Sequence, residues 1–347
     1  MYRRKIIILI SLIGVGIGLF FIFRFYQIFF WGNTIFENKN SFIFIDRDDD
    51  IDSLTIELKS LLKSTDDFIL AAEKKGYNKR ILPGKFKIKK GMGNNEIINT
   101  FRSQRLTTTV VFNNQERIED LVGRIAIQIE ADSLELLNAF QDQVFLSENG
   151  FTKADALTMY LPNSYDVFWD ITPQDFRKRM LDYHNLFWSK KRMDKAKDLN
   201  LSPKEVYILA SILQKETLQT KEQHRIAGVY LNRLKIGMKL QADPTVIFAL
   251  KKESDDFQRI IKRVLYKDLQ TKSIYNTYRH NGLPPGPIAM PDLSAIDAVL
   301  DYEKHNYLYF VASTTNPGYH LFAKNLREHN KNKRVYTIWL RKQNIYR

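Results

Sequence analysis

The 347-residue chain contains no cysteine. This absence excludes disulfide bonds, thiolate metal ligands, cysteine nucleophiles and the cysteine-linked lipid anchor of bacterial lipoproteins. The six histidines form no H-E-x-x-H pattern, and His320 and His329 stand nine residues apart with no thiol partner. The sequence also lacks a phosphate-binding glycine loop and a nucleophile elbow. We therefore predict neither a bound metal nor a cofactor.

Acidic residues are few relative to basic ones, and the net charge is +14. Three interpretations fit this excess: a solvated lysine-rich surface, affinity for an anionic membrane or cell wall, or binding of nucleic acid. The basic residues are scattered in short clusters such as Lys89-Lys90 and form no long arm or stripe. Nucleic acid is therefore not an expected partner.

The N-terminus carries the one long apolar run, residues 6–23, preceded by the basic segment MYRRK. This length suits a helix that crosses the hydrocarbon core of a bilayer. The alternative, a cleaved signal peptide, would need small residues at its cleavage site, whereas Phe, Tyr, Ile and Trp continue to Trp31. The positive-inside rule predicts a single-pass protein of the cytoplasmic (inner) membrane, with a cytoplasmic N-terminus and the remainder in the periplasm or wall zone.

The remaining pattern predicts an α+β fold. We expect an anchor at 1–31, a linker at 32–40, a small subdomain at 41–106 and a larger α+β catalytic domain at 107–347. The larger domain begins with the β-branched strand LTTTVVF and continues mainly with helices. The segment YLPNSYDVFW, residues 160–169, is expected to be a loop.

The small subdomain shows strand, helix, helix and strand in order. Its first helix is expected to start at a cap provided by Asp52 or Ser53, and its second strand follows the turn in PGKFKIKKG. This order and turn resemble a LysM module, which binds polymers of N-acetylglucosamine. The alternative is a small α+β subdomain without a ligand.

One acidic residue lies where the helical pattern calls for an apolar one. Ser202 and Glu205 form a capping box, and the helix that they start should bury Val206, Leu209, Ile212 and Leu213. At 100° per residue, Glu216 falls about 20° from Leu209, so it continues the apolar stripe. Two interpretations remain open: a structural ion pair with Arg225 or Arg233, or a desolvated carboxyl that acts as a general acid.

Several polar residues follow this helix in turn-forming sequence. Gln241 and Asp243 precede a proline, which favours an extended or turn conformation. A later segment, residues 275–291, combines Asn276 and Tyr278 with several prolines, including Pro285. Because proline fixes φ, this loop should be stiff enough to hold a polar ligand.

The motifs ILASILQKET, YLNRLKIGMKLQADPTVIF, YNTYRHNGLPPGPI, YLYFVAS and HLFAKNLREHNK resemble, in order and spacing, the YceG/MltG family of endolytic murein transglycosylases. The resemblance extends over nearly the whole chain and is most specific between residues 200 and 335. It implies that Glu216 is the catalytic glutamate. The family often has a second glutamate two residues earlier, where this chain has Gln214, which cannot titrate.

The resemblance further implies cleavage of the β-1,4 bond between N-acetylmuramic acid and N-acetylglucosamine in peptidoglycan glycan strands, with formation of a 1,6-anhydro end. In that reaction Glu216 protonates the leaving oxygen and then deprotonates the 6-hydroxyl of the same sugar. Peptidoglycan synthases are the partners that the resemblance suggests, with termination of growing strands as the outcome. The expected substrate-binding residues are Gln214, Gln241, Asp243, Asn276, Tyr278, Pro285, His320 and Asn325.

Two other functions remain open from the sequence. The first is a peptidoglycan hydrolase in which Asp243 assists Glu216, since most glycoside hydrolases use two carboxylates. The second is a non-catalytic scaffold that binds the cell wall.

Overall fold

A computed structural model, which describes residues 2–217 and 219–343, shows the predicted α+β fold. The chain divides into two compact units. Unit 1 comprises Met1–Val110, Ile127–Ala131 and Tyr165–Thr172, and unit 2 comprises Val111–Ala126, Asp132–Ser164 and Pro173–Arg347. The expected boundary at residue 107 lies close to the first division. The two later segments of unit 1 come from within the sequence assigned to the larger domain.

The helices are α1 (Tyr2–Phe30), α2 (Ile51–Leu58), α3 (Thr65–Lys74), α4 (Asn94–Ser103), α5 (Ile118–Ala126), α6 (Ser133–Phe140), α7 (Gln143–Glu148), α8 (Pro173–Phe187), α9 (Lys190–Asp198), α10 (Pro203–Glu216), α11 (Thr220–Lys235), α12 (Asp243–Ser254), α13 (Leu293–Leu300) and α14 (Leu326–Lys342). The strands are β1 (Asn40–Ile45), β2 (Gly84–Lys89), β3 (Thr107–Phe112), β4 (Asn163–Phe168), β5 (Tyr309–Ala312) and β6 (His320–Ala323). Strands pair as β1 with β2, β3 with β4 and β5 with β6.

Unit 1 contains the strand–helix–helix–strand order that the sequence indicates. β1 and β2 are antiparallel, with Ile43 opposite Phe86, and both side chains lie in the core. The cap of α2 differs from the prediction, because Asp50 accepts hydrogen bonds from the backbone N–H groups of Asp52 (3.0 Å) and Ser53 (2.9 Å). Several acidic residues in this turn could cap α2. The cap is Asp50 because its backbone is extended and the helical conformation begins at the next residue.

Helix α1 is long and apolar enough to cross a membrane, by length and composition. Its last turn is part of the core of unit 1, since Ile28 and Phe29 are buried there against α3 and α4. Arg24, four residues before this buried turn, lies 3.7 Å from Asp67 of α3. The apolar run that precedes Arg24 is exposed.

Buried polar groups fix the end of α1. The side chain of Asn94 donates to the carbonyl oxygen of Ile28 (2.7 Å) and accepts from the side chain of Asn33 (2.7 Å). A Cβ atom at Gly93 would lie 2.9 Å from the backbone of Phe30, so only glycine permits this close approach. One of the carbonyl groups that a helix leaves unpaired at its C-terminus is thus satisfied by α4.

The segment expected to be a linker, residues 32–40, is bonded to unit 1 over its first part. The backbone N–H of Asn33 donates to Met92 (2.9 Å), and that of Ile35 donates to Leu61 (3.0 Å). Asn33 and Thr34 are both buried. The first residues after α1 are therefore hydrogen-bonded to unit 1 and do not form a free linker.

Unit 2 is built around α10, which packs against α11, α12 and α13. The predicted stripe of Val206, Leu209, Ile212 and Leu213 is fully buried. The four residues between them are buried as well, so α10 is covered on all sides from Val206 to Leu213 and burial does not single out the predicted face. Antiparallel β5 and β6 carry α14.

The expectation of a loop at residues 160–169 was wrong, because β4 occupies Asn163–Phe168. Tyr165 and Val167 are buried and alternate with exposed residues, as a half-buried strand requires. The Leu-Pro-Asn sequence suggested a turn and masked this short period-two pattern. Pairing with β3 outweighs the weak local preference.

We predict that Asn94→Ala lowers the free energy of unfolding of unit 1 by about 2 kcal/mol, because the carbonyl group of Ile28 loses the donor at its buried end and the side chain of Asn33 keeps only its bonds to Ser64. Thermal unfolding of the full chain in detergent measures this loss. Asn99→Ala, at an exposed position of the same helix, is the matched control and should change stability by less than about 0.5 kcal/mol. Equal effects of the two substitutions would contradict the assigned role of Asn94.

Candidate active site

Glu216 is the last residue of α10. The helix begins as the sequence predicts, with Ser202 as its cap, a capping box to Glu205 and Pro203 at its first position. It ends because Thr217 adopts an extended conformation, with φ −145° and ψ 138°. A buried helix with defined ends places the Glu216 carboxyl at a fixed point.

The carboxyl of Glu216 accepts a hydrogen bond from the hydroxyl of Tyr230, with 2.6 Å between the oxygens. Desolvation by burial is the main cause that raises the pKa of Glu216 from 4.5 to about 7, and the negative charge of Asp243 adds to it. The hydrogen bond from Tyr230 and the charge of Arg233 act in the opposite direction. At neutral pH the carboxyl is therefore near its midpoint and can both donate and accept a proton.

Neither arginine considered from the sequence forms the direct contact with Glu216. Arg225 pairs with Glu303 at 2.9 Å. Arg233 is buried and donates to the backbone carbonyl groups of Leu308 and Leu240. The direct partner is the neutral hydroxyl of Tyr230, so the carboxyl keeps its raised pKa instead of ionising in a salt bridge.

A second carboxylate faces this region from the start of α12. Asp243 accepts a hydrogen bond of 2.6 Å from the hydroxyl of Tyr278, and burial raises the pKa of Tyr278. The side chain of Gln241 is exposed, and its φ of 48° lies in the left-handed region that a residue with a side chain rarely adopts. Its backbone N–H donates to Thr277 (3.1 Å), so the segments that carry Gln241 and Tyr278 are joined.

Asn276 is completely buried and its hydrogen-bonding groups are occupied. Its side-chain amide donates to the carbonyl groups of Leu269 (2.9 Å) and Thr271 (2.8 Å), and its oxygen accepts from the backbone N–H of Tyr278 (3.0 Å). This arrangement shapes the loop that presents Tyr278. It differs from the expected direct contact between Asn276 and a ligand.

Gln214 points away from Glu216 along the α10 surface. Its side chain donates to the carboxylate of Asp292 (3.0 Å) and accepts from the backbone N–H of the same residue (3.3 Å). The two reciprocal bonds connect α10 to the start of α13. The structure does not bring Gln214 into the hydrogen-bonded group of Glu216 and Tyr230.

Glu116 links the two helices that carry the carboxylates. It pairs with Lys215 of α10 at 2.7 Å and with Lys251 of α12 at 2.8 Å. Burial alone would raise the pKa of Glu116, but the hydrogen bonds from the two lysines outweigh burial and lower it. Lys215 directly precedes Glu216, so this pair of contacts fixes the last turn of α10 relative to α12.

The other expected site residues are placed differently. The ring of His320 contacts Glu222 at 2.7 Å, and Asn325 caps α14 by accepting from the backbone N–H of Glu328. Pro285 is exposed in the predicted loop. A Cβ atom at Gly286 would lie 1.9 Å from the carbonyl oxygen of Ala154, so the loop is in close contact with the chain there.

Sequence reasoning did not identify Glu116 as a site residue or Tyr230 as the partner of Glu216. Tyr230 is buried on α11, and its hydroxyl could be matched to Glu216 only after the helices were packed. Glu116 had no local signal, because its lysine partners are about 100 and 135 positions away. Among residues 2–217 and 219–343, no cluster of three or more His, Cys, Asp or Glu residues is arranged to hold a metal.

These contacts define an α+β protein whose second unit holds a desolvated carboxyl, a nearby carboxylate and two tyrosine hydroxyls. The chain belongs to the YceG-like family, whose model matches residues 43–335. A crystal structure of a yceG-like protein from Listeria monocytogenes has a similar fold, with a TM-score of 0.56 at 24% identity, and the match covers 84% of this chain and 98% of that one.

Two curated relatives, both named endolytic murein transglycosylase, match part of the chain. The Bacillus subtilis protein is 40% identical over 167 residues, which are 48% of this chain and 44% of the relative. The Streptococcus pneumoniae D39 protein is 35% identical over 136 residues, which are 39% of this chain and 24% of the relative. The matched region thus spans less than half the length of each relative.

The raised pKa of Glu216 predicts a pH-dependent stability difference between the wild-type chain and Glu216→Gln. The unfolded chain ionises near pH 4.5 and the folded chain near 7, so the contribution of Glu216 to the free energy of unfolding falls as pH rises through this interval. Below pH 4.5 the pH-dependent penalty is absent. Above pH 7 the variant should have gained about 3 kcal/mol relative to the wild type.

Denaturant unfolding between pH 4 and 8 measures this difference. Glu148→Gln, at an exposed position, is the control for removal of a carboxylate, and its difference from the wild type is recorded at each pH. A difference for Glu216→Gln that does not change between pH 4 and 8 would show that the pKa of Glu216 is not raised.

Proposed function

We propose that this protein is an endolytic peptidoglycan lytic transglycosylase that cleaves the β-1,4 bond between N-acetylmuramic acid and N-acetylglucosamine. The observation that carries the proposal is the Glu216 carboxyl, whose pKa of about 7 suits a group that must both give and take a proton. Membership of the YceG-like family and the names of the two curated relatives support the same reaction.

In the first step, protonated Glu216 gives its proton to the glycosidic oxygen while the bond from that oxygen to C1 of N-acetylmuramic acid breaks. N-acetylglucosamine leaves with a free 4-hydroxyl. In the second step, the 6-hydroxyl of the muramic acid forms the new bond to C1 and gives its proton to the Glu216 carboxylate. No water is consumed, and the second reactant belongs to the same sugar, which gives it a high effective concentration.

The neighbouring groups have supporting parts in this proposal. Tyr230 holds the Glu216 carboxyl in one orientation through its short hydrogen bond. In the proposal, Asp243 accepts a hydrogen bond from a sugar hydroxyl and the amide of Gln241 binds an N-acetyl group. The bond from Tyr278 that orients Asp243 and the exposure of Gln241 support these roles. Asn276 acts by positioning Tyr278.

The remaining predicted ligands are less direct candidates. Gln214, His320 and Asn325 each have protein partners, so sugar contact would require these bonds to exchange. Pro285 offers an exposed apolar ring to the flat face of a sugar.

A peptidoglycan hydrolase is the second candidate, because the charge of Asp243 acts on Glu216. In that reaction Asp243 would activate a water or stabilise the positive charge at C1. The two reactions differ in one product: the anhydro end is lighter by one water than the hydrolysed end.

We predict that the purified chain releases anhydro-muropeptides from isolated peptidoglycan and that Glu216→Gln lowers their formation at least about 1000-fold, since the amide cannot donate a proton. Asp243→Asn should retain the anhydro product at a lower rate. Mass spectrometry of the digests measures both, and Glu148→Gln should behave as the wild type.

Each result of this digestion has a defined meaning. Products that carry an added water would support the hydrolase, and loss of all products in Asp243→Asn would strengthen that assignment. No product from any properly folded chain would support the scaffold. Anhydro products from Glu216→Gln would remove Glu216 from the mechanism.

We also propose the arrangement of the chain in the cell: α1 spans the cytoplasmic membrane, the N-terminus is cytoplasmic, and the chain that follows α1 lies in the periplasm or wall zone. The apolar run of α1 and the basic residues before it support this orientation. The LysM-like region at 41–106 and the catalytic region at 107–347 would then share the compartment of the proposed peptidoglycan synthase partners.

The absence of native cysteine allows a direct test of this orientation. A membrane-impermeant maleimide applied to intact cells, with wall access verified, should label Glu148→Cys and should not label Tyr2→Cys. Both should react after the membrane is opened. Labelling of Tyr2→Cys in intact cells would reverse the proposed topology.

A further inference from the structure

The last helix of unit 2, α14, differs from the other elements in its exposure. None of its seventeen residues is buried. It carries six basic side chains and one acidic one, Glu328, whose carboxylate is engaged near the start of the helix by the side chain of Asn325 and the backbone of Lys324. The helix is therefore strongly basic over most of its length.

One side of α14 rests on the β5–β6 sheet. His329 stacks on Tyr309, with 5.1 Å between ring centres and 24° between ring planes. Tyr336 lies seven residues further along, on the same side of the helix, and is partly covered. This contact sets the rotation of the helix and determines which side chains remain open.

Three large apolar side chains of α14 remain exposed: Val335 (49%), Ile338 (45%) and Trp339 (37%). The ring of Trp339 also stacks on Tyr336, with 6.1 Å between ring centres and 17° between ring planes, so it lies at the border between the sheet-facing side and the open side. At 100° per residue the three exposed side chains fall within an arc of about 100°.

Lys331 and Lys342 fall within the same arc, and Arg334 and Arg341 border it on the side of Ile338. The open face of α14 consists of Lys331, Arg334, Val335, Ile338, Trp339, Arg341 and Lys342.

We propose that the open face of α14 docks on an anionic phospholipid surface, an inference that rests on the membrane anchoring by α1 proposed above. A helix that places apolar side chains and Trp beside Lys and Arg can bury the apolar groups at the level of the headgroups. The long basic side chains then reach lipid phosphates around them. Trp339 suits this boundary, since its ring is apolar and its N–H is polar.

Charge and size favour a bilayer over a protein partner. Three apolar side chains on one convex helix offer much less area than the roughly 800 Å² that each partner buries in a stable protein interface. The basic residues instead match a surface that is negatively charged everywhere. Because α1 would keep α14 near the bilayer, even a weak affinity for lipid would give substantial occupancy.

The cysteine-free chain permits a site-specific test in the full-length protein. Val335→Cys or Ile338→Cys is labelled with an environment-sensitive fluorophore, and the chain is reconstituted into vesicles of phosphatidylcholine with or without phosphatidylglycerol. We expect emission at shorter wavelength only when phosphatidylglycerol is present. Leu186→Cys on α8, which is 75% exposed, should show no such shift.

Charge variants then distinguish docking of α14 on lipid from nonspecific adsorption of the protein to vesicles. The variant K331Q/R334Q/R341Q/K342Q should lose the shift, and added salt should reduce it in the wild-type sequence. The matched control removes four exposed lysines elsewhere on unit 2: K178Q/K190Q/K191Q/K197Q. This control should keep the shift, and circular dichroism should show that both variants are folded.

Three outcomes would overturn the proposal. The label could show no shift with phosphatidylglycerol, or the shift could survive removal of the four charges on α14. A shift that grows with protein concentration in detergent, without lipid vesicles, would show that the open face contacts another protein copy.

Discussion

A partly buried carboxyl at the end of a buried helix is the constraint on which the site in unit 2 depends. Burial makes ionisation of Glu216 costly, and the hydrogen bond from Tyr230 limits that cost without replacing it by a salt bridge. A protein that needed only stability would gain from an apolar residue here. A role in proton transfer is therefore the clearest explanation for the position of Glu216, and the contacts around it hold the carboxyl in place.

The surrounding contacts divide into those that tune the proton and those that hold geometry. Tyr230, Asp243 and Arg233 act on the pKa of Glu216. Glu116 acts on position, because its two oxygens are shared between lysines of α10 and α12. A mutation at Glu116 would thus move the two carboxylates relative to each other without changing either one.

Local signals predicted the start of α10 well because its capping box and proline agree. They failed where distant residues decide. The strand at Asn163–Phe168 forms through pairing with β3, although its sequence suggests a turn. Asparagine is a residue type that can bind a polar ligand. The side chain of Asn276 instead bonds to Leu269, Thr271 and Tyr278 and stabilises the loop itself. A residue type shows which bonds are possible, and packing determines which are made.

The buried end of α1 has a mechanical consequence. With Ile28 and Phe29 in the core and Asn94 bonded to the helix end, α1 and the rest of unit 1 form one continuous body. Any rotation of the helix about its own axis must turn unit 1 through the same angle, and any tilt must be shared. In a bilayer, the rest of unit 1 would therefore diffuse and tilt together with α1, because the end of the helix is packed and hydrogen-bonded to it.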